Sequence, residues 1–315
     1  MTRLMTNTTP DGSVAHPLGT ARDTAPVLDW SRLDIEQVFG FAGGRFTRPN
    51  GWFTSLFGLL LTLGFYAALL PIWGTYFAGM FLRRGPTPYA IVFLTCWSVA
   101  ILVVKWFKLR LQRRALDQQV MPDDPAFVLS AATVEPVLTR VYATVDDPRN
   151  FILYNRIVVA LSNLRNLGRV TDVDEILRSQ AEQDESMVET SYALVQAFVW
   201  AIPVLGFIGT VLGLSEAIGK FSGVLVDTAD VEQITLALKG VTAGLATAFE
   251  TTLEALVAAL VIQLGVTWLR KGEEEFLDEA MDYGLRNVVG RLRIVENGPG
   301  PVVPFPLVVP NPRPG

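Results

Sequence analysis

Four stretches of this 315-residue chain stay apolar for about twenty residues or more, the length that crosses a hydrocarbon layer. They cover 52–81, 89–107, 197–218 and 236–269, and they fall into two pairs. Half of all residues are hydrophobic, only 18% are charged and the mean hydropathy is +0.35, too apolar a balance for an ordinary soluble domain of this size. The expected fold class is therefore an all-α integral membrane protein, with about four transmembrane helices and long cytoplasmic helical extensions.

The first pair is joined by the short turn "RRGPTP", and a polar, charge-mixed segment too long for a simple connection separates the pairs. The chain then divides into a polar tail (1–50), a first transmembrane hairpin (51–107), a cytoplasmic helical domain (108–196), a second transmembrane hairpin (197–270), a cytoplasmic helix (271–297) and a proline-rich tail (298–315). Orientation follows from where lysine and arginine flank the spans. "KWFKLRLQRR" follows the second span, Arg45 and Arg48 precede the first, and Arg270 and Lys271 follow the fourth; Arg83, Arg84 and Lys220 lie in the two hairpin turns. Both termini and the large insertion read as cytoplasmic, with Arg83 and Arg84 as dissenting charges.

Within the insertion, "DDPRNFILYNRIVVALSNLRNLG" carries apolar residues at spacings of three and four, with Gly168 as its stop. Asp172 and Glu175 have the spacing of a capping box, and Val173, Ile176, Leu177, Ala181, Val188, Ala193 and Leu194 keep helical period up to Pro203. One long helix rising from the cytoplasm into the third span is the simplest expectation. After Leu269 the fourth helix is expected to continue, weakened at Gly272 and Gly284, and the tail "GPGPVVPFPLVVPNPRPG" is too rich in proline for helix.

Several function classes drop out. The single cysteine, Cys96, sits in an apolar run and the single histidine, His16, in a polar tail, so neither a disulfide framework nor a metal site is expected. A net charge of −5 with no basic stripe among aromatics gives no support for nucleic-acid binding. No nucleophile with a base and no phosphate loop is visible, so enzymatic activity and a cofactor are not expected. No removable signal peptide precedes the first span, which leaves the spans themselves to direct the chain to the membrane.

The second hairpin holds the candidate site. Gly206, Gly209 and Gly213 in the third span, and Gly240 and Gly244 in the fourth, have the spacing that lets helix backbones approach closely. Taken alone, they are helix-packing seams. Thr210 and Thr242 lie within those seams, and a lone threonine in a membrane helix satisfies its hydroxyl on its own backbone. Two of them in successive spans, beside glycines, would line a narrow conduit if both helices faced a common axis. Glu250 and Glu254 stand one turn apart in "GLATAFETTLEALVAALV"; in-membrane carboxylates face a bundle interior or a water-filled cavity. With the fourth helix descending, Glu250 is expected about 12 Å of rise beyond Thr242, toward the cytoplasmic half of the bilayer. The competing reading puts both glutamates at the cytoplasmic headgroups.

The stretches "IPVLGFIGTVLGL" and "LKGVTAGLATAFETTLEALVAAL" resemble the MotA/TolQ/ExbB proton channel family, with G-x-x-G-T-V-x-G in one span and T-A-x-G-L-A-x-A in the next. The resemblance covers 199–269, with support from the "DP…F…NLGRVTDVDEIL" region. A layout of four spans, with its large insertion between the two hairpins, is more similar to the flagellar-stator and phage-defence branches than to the three-span branch. The resemblance implies a ring, a homopentamer around two copies of a single-span partner whose membrane helix bears an aspartate, in the bacterial plasma membrane. By motif, Thr210 and Thr242 match the family's pore-lining threonines. Ala237 stands where the three-span branch has a glutamate five residues before the second threonine, so either Glu250 or the partner's aspartate alone would titrate.

The function expected from these features is an ion-channel subunit, for H⁺ or Na⁺, of a motor driven by ion-motive force. The rival reading is a membrane scaffold whose glycines serve assembly and whose cytoplasmic helices dock other proteins. No residue names the load.

Overall fold

The computed structural model describes residues 28–292 apart from 119, 122–126, 131–132, 168–169 and 228–230. Among the described residues the chain is helical, with isolated β-bridges joining Leu28 to Val145 and Leu129 to Leu292. Two short helices, α1 (Trp30–Leu33) and α2 (Ile35–Val38), lead into α3 (Gly51–Leu69), a 3-10 turn (Leu70–Ile72), α4 (Tyr76–Leu82) and α5 (Thr87–Leu116). Then come α6 (Val134–Thr144), α7 (Ile152–Leu167), α8 (Val170–Thr190), α9 (Ala193–Asp227) and α10 (Val231–Asn287). His16, Gly168, the side chains of Asp172 and Lys220, and the proline-rich tail lie outside the described residues. Four helical stretches, Gly51–Ile72, Thr87–Leu116, Val173–Gly219 and Ile234–Arg291, are long and apolar enough to cross a membrane.

The first span is shorter than the apolar run predicts. Asn50 caps α3 by accepting from Trp52 N at 2.9 Å, but Pro71 has no N–H to continue the ladder, and Thr75 starts α4 afresh by accepting from Ala78 N. The apolar run 52–81 is thus a span ending near residue 70 plus a separate short helix. Pro88, inside the first turn of α5, occupies a position where its missing N–H costs nothing. Helices α3 and α5 meet at Gly58, where a Cβ would stand 2.7 Å from Trp97 Cα. Exposed Trp52 stands at the start of α3 and exposed Trp73, Tyr76 and Phe77 past its other end, which the 19 residues of α3 separate by about 28 Å, the spacing expected of aromatic belts.

Below the Trp52 level the helices converge on a buried core. Trp30 packs edge-on against Phe151 at 5.2 Å, and Gln112 clasps the start of α7, donating to Asn150 O at 2.7 Å and accepting from Ile152 N at 3.0 Å. Lys105 and Lys108, counted in the sequence as flanking charge, turn inward and are buried. Lys108 Nζ donates to Glu36 Oε2 at 2.5 Å and lies 3.5 Å from Asp34, while Glu36 also accepts from the backbone of Gly44 and Asn50. Lys105 Nζ donates to Ser191 Oγ at 2.7 Å and pairs with Glu273 at 3.0 Å, and Tyr192 donates to the same carboxylate at 2.5 Å. That network explains a further departure. The single helix expected from Val173 into the third span breaks at Ser191 and Tyr192, whose side chains are held by α5 and α10.

Helix α10 runs 57 residues, about 85 Å, without a break at Gly272 or Gly284. A Cβ at either position would meet a leucine, Leu109 at 3.5 Å and Leu177 at 3.8 Å, so packing by these side chains offsets the roughly 1 kcal/mol that glycine costs a helix.

Candidate functional site

Helices α9 and α10 run antiparallel with their backbones in contact. A Cβ on Gly206 would stand 2.5 Å from Ala255 Cβ, one on Gly209 2.7 Å from Thr251 Oγ1, one on Gly213 3.0 Å from Gly244 O, and one on Gly244 2.6 Å from Ala217 Cβ. Four of the five seam glycines therefore face the partner helix; Gly240 is half-buried.

Close approach brings hydroxyls together across the seam. Thr210 hydrogen-bonds Thr252, and its hydroxyl also reaches Gly206 O at 3.1 Å and Ala248 O at 3.2 Å. Thr252 reaches the same two carbonyls at 3.2 and 3.1 Å, and Thr251 donates to Thr247 O at 3.0 Å. Threonine–carbonyl bonds of this kind satisfy every hydroxyl without water. Thr242 is placed differently. It is exposed, and its hydroxyl bonds to Leu238 O and Lys239 O of its own turn. Ten residues of α10, about 15 Å, separate Thr242 from the Thr252 that Thr210 meets, so one copy of the chain does not bring the two predicted threonines together.

Glu250 occupies neither of the expected depths. Parallel α5 and α10 put the turn before α5 beside it: Arg84 Nη2 donates to Glu250 Oε1 at 3.0 Å, Arg84 Nε stands 2.7 Å from Oε2, and Tyr76 donates to Oε1. Arg84 Nη1 adds a bond to Thr247 Oγ1 at 3.1 Å. This is the far end of the first hairpin, opposite the end where Lys105 and Lys108 lie. The expectation of a position toward the basic flank fails because it assumed that both hairpins share one depth. Arg84 Nη1 also reaches Ala243 O at 3.4 Å, and from Val231 to Ala243, about 18 Å of α10, the second hairpin extends beyond the first. Ile218, Leu236 and Leu238 are exposed on that extension.

Both arginines of the turn have partners: Arg84 pairs with Glu250, and Arg83 lies over the Trp73 ring at 5.5 Å. Sequence reasoning missed Arg84, Tyr76 and Thr252 as neighbours of the site. The adjacent hydroxyls of Thr251 and Thr252 in "FETTLEAL" were the one local signal; Arg84 and Glu250 are separated by 166 positions, and no spacing rule joins them. Among the described residues no cluster of His, Cys, Asp and Glu could hold a metal ion.

Residues 149–281, which run from the start of α7 through most of α10, match the model of the MotA/TolQ/ExbB proton channel family. The first hairpin lies outside the matched stretch. No curated protein and no solved structure matches the chain.

Proposed function

We propose, from a segment 149–281 that carries MotA/TolQ/ExbB proton channel sequence, that this multi-pass membrane protein is the ring-forming subunit of an ion-motive-force-driven machine. The observation that carries the reading is the staggered second hairpin. Its two helices touch backbone to backbone along a glycine seam, and beyond the first hairpin their apolar faces are exposed among the described residues. Helices of this kind are covered when copies gather around an axis. In that arrangement, a five-fold ring in the manner of the four-span branches, α9 and α10 surround two copies of a single-span partner bearing an in-membrane aspartate. Thr210 and Thr242 then form polar collars at two heights of the inner wall. Glu250, tied to Arg84 and Tyr76, is expected to fix the first hairpin against this wall. Ala237 in place of the family's glutamate leaves the partner's aspartate as the titrating group at that level. Both termini face the cytoplasm, and the transported ion is H⁺ or Na⁺.

Co-purification in mild detergent followed by native mass measurement reads ring size and partner together. A ring with a single-span protein is the expected result, and a monomer without one favours the scaffold reading. Partner-dependent ion flux in liposomes then tests the wall. Thr210→Val and Thr242→Val should assemble and lose flux, and wild-type flux in both removes the pore-lining assignment. Loss of flux in Glu250→Gln with assembly intact would place that carboxylate on the ion route. For orientation, cysteines near Asp147 should be shielded from an impermeant thiol reagent in intact cells and those near Asp227 labelled.

A further inference from the structure

Glu250 and Glu254 differ by one helical turn, yet only one of them is neutralised by its surroundings. Glu250 has a guanidinium and a phenol. Both carboxyl oxygens of Glu254 are closed off from solvent and have no hydrogen-bond partner among the described residues. The Tyr66 hydroxyl on α3 is in the same condition, and its electrostatic neighbours are Glu254, Tyr89 and Cys96.

The other polar groups near Tyr66 and Glu254 among the described residues have partners of their own or are only weakly polar. On α3, Thr62 donates to Gly58 O at 2.8 Å. On α5, Tyr89 stacks on Tyr66 at 4.9 Å and donates to Leu82 O at 3.2 Å, while Cys96 supplies a weakly polar thiol. Arg84 and Tyr76 are committed to Glu250. Across the seam, residues 197–212 of α9 include no titratable side chain. No cation remains for Glu254 among the described residues, and an isolated carboxylate in a low-dielectric layer costs far more than binding a proton.

We infer that Glu254 and Tyr66 form a proton-binding site inside the helix layer, with Glu254 held as a carboxylic acid that shares a buried water with the Tyr66 hydroxyl. One ordered water between two neighbouring buried polar groups that lack protein partners satisfies both, and the acid supplies the one donor that a carboxylate lacks. Loading the site transfers a proton from hydronium to the carboxylate, giving acid and water with no change of oxidation state. The site uses contacts within a single copy, so it does not rest on the ring or its partner.

The test treats the full chain in lipid nanodiscs at neutral pH with dicyclohexylcarbodiimide, an apolar reagent that captures protonated carboxyls. The acid proton moves to a carbodiimide nitrogen, the carboxylate adds to the central carbon, and the adduct rearranges to a stable N-acylurea read by peptide mass spectrometry. The label is expected on Glu254, retained in Glu250→Gln and lost in Glu254→Gln. Infrared spectra are expected to show a protonated-acid C=O stretch that disappears in Glu254→Gln and shifts in Tyr66→Phe. That band needs no access for the reagent, so it supports the site even without an adduct, and labelling of the unaltered chain needs no variant to fold. The proposal is overturned by absence of both label and band, by a band that vanishes in Glu250→Gln instead, or by labelling that sodium ions suppress, which would make the site a cation ligand.

Discussion

The α3/α5 hairpin has one tight glycine contact, Gly58 against Trp97, and is tied to the rest of the chain by ion pairs at both ends, whereas α9/α10 closes along a run of four close-packed glycines. The contrast separates two kinds of restraint. Charge pairs hold the first hairpin at a fixed height against α10, and steric contact holds α9 to α10 along their length. Each should therefore fail under a different substitution.

The largest effect is expected at Lys108. Replacing it with methionine leaves Glu36 and Asp34 buried without their cation, and loss of a buried partner costs about 3–5 kcal/mol. Unfolding in detergent should show that loss while the α9/α10 contact persists by cysteine crosslinking. The same network gives a pH signature. Burial raises the Asp34 carboxyl above its ordinary 3.8, against the opposing pull of Lys108, so the folded state binds the proton more tightly than the unfolded chain. The contribution of Asp34 is then fully present below 3.8 and declines as pH rises through the higher folded value. Asp34→Asn should flatten that part of the melting-temperature profile, and an unchanged slope would remove Asp34 as its source.

Next comes Gly244→Leu, whose Cβ would meet Ala217 and the carbonyl of Gly213. Overpacking against backbone costs about 1–3 kcal/mol and should separate α9 from α10. Gly64→Leu in the first hairpin, where a Cβ meets nothing within 4 Å, is the matched control and should stay within about 0.5 kcal/mol. Equal losses at both positions would erase the distinction between the hairpins. Arg84→Gln should cost less than Lys108→Met, about 1–2 kcal/mol, because its pair with Glu250 keeps some solvent access. A double-mutant cycle with Glu250→Gln reads the coupling directly. The smallest contrast lies between the threonines. Thr210→Val removes a hydroxyl from a shared network and should cost about 1 kcal/mol, while exposed Thr242→Val should stay within about 0.5 kcal/mol.

The sequence made the spans, the pairing of α9 with α10 and the glycine contacts legible, because apolar length and small-residue spacing are local properties. The end of the first span was half-legible: Pro71 stood in plain view, but its neighbours were apolar enough to hide the break. What stayed hidden was long-range. Lys105 and Lys108 resemble flanking charge until α1–α2 and α10 supply their carboxylates, and the break at Ser191 exists because α5 and α10 grip it. Height was hidden too. Two apolar hairpins in one sequence give no sign that one is offset against the other, and the depth of Glu250 was misread for that reason.

Helix α10 can also be considered as a mechanical member. One uninterrupted hydrogen-bonded ladder joins Thr242, the Glu250 clamp, the Glu273 network and Arg286, with packing over Gly272 and Gly284 where a hinge would otherwise form. A shaft without a joint transmits torsion: a small rotation of the extension about the helix axis is delivered, with little loss, to the charged segment at its other end. Bending is resisted by the collar of α5, α7 and α8 around its lower half. The stiffness that fixes the seam is thus also what makes the two ends of the molecule turn together.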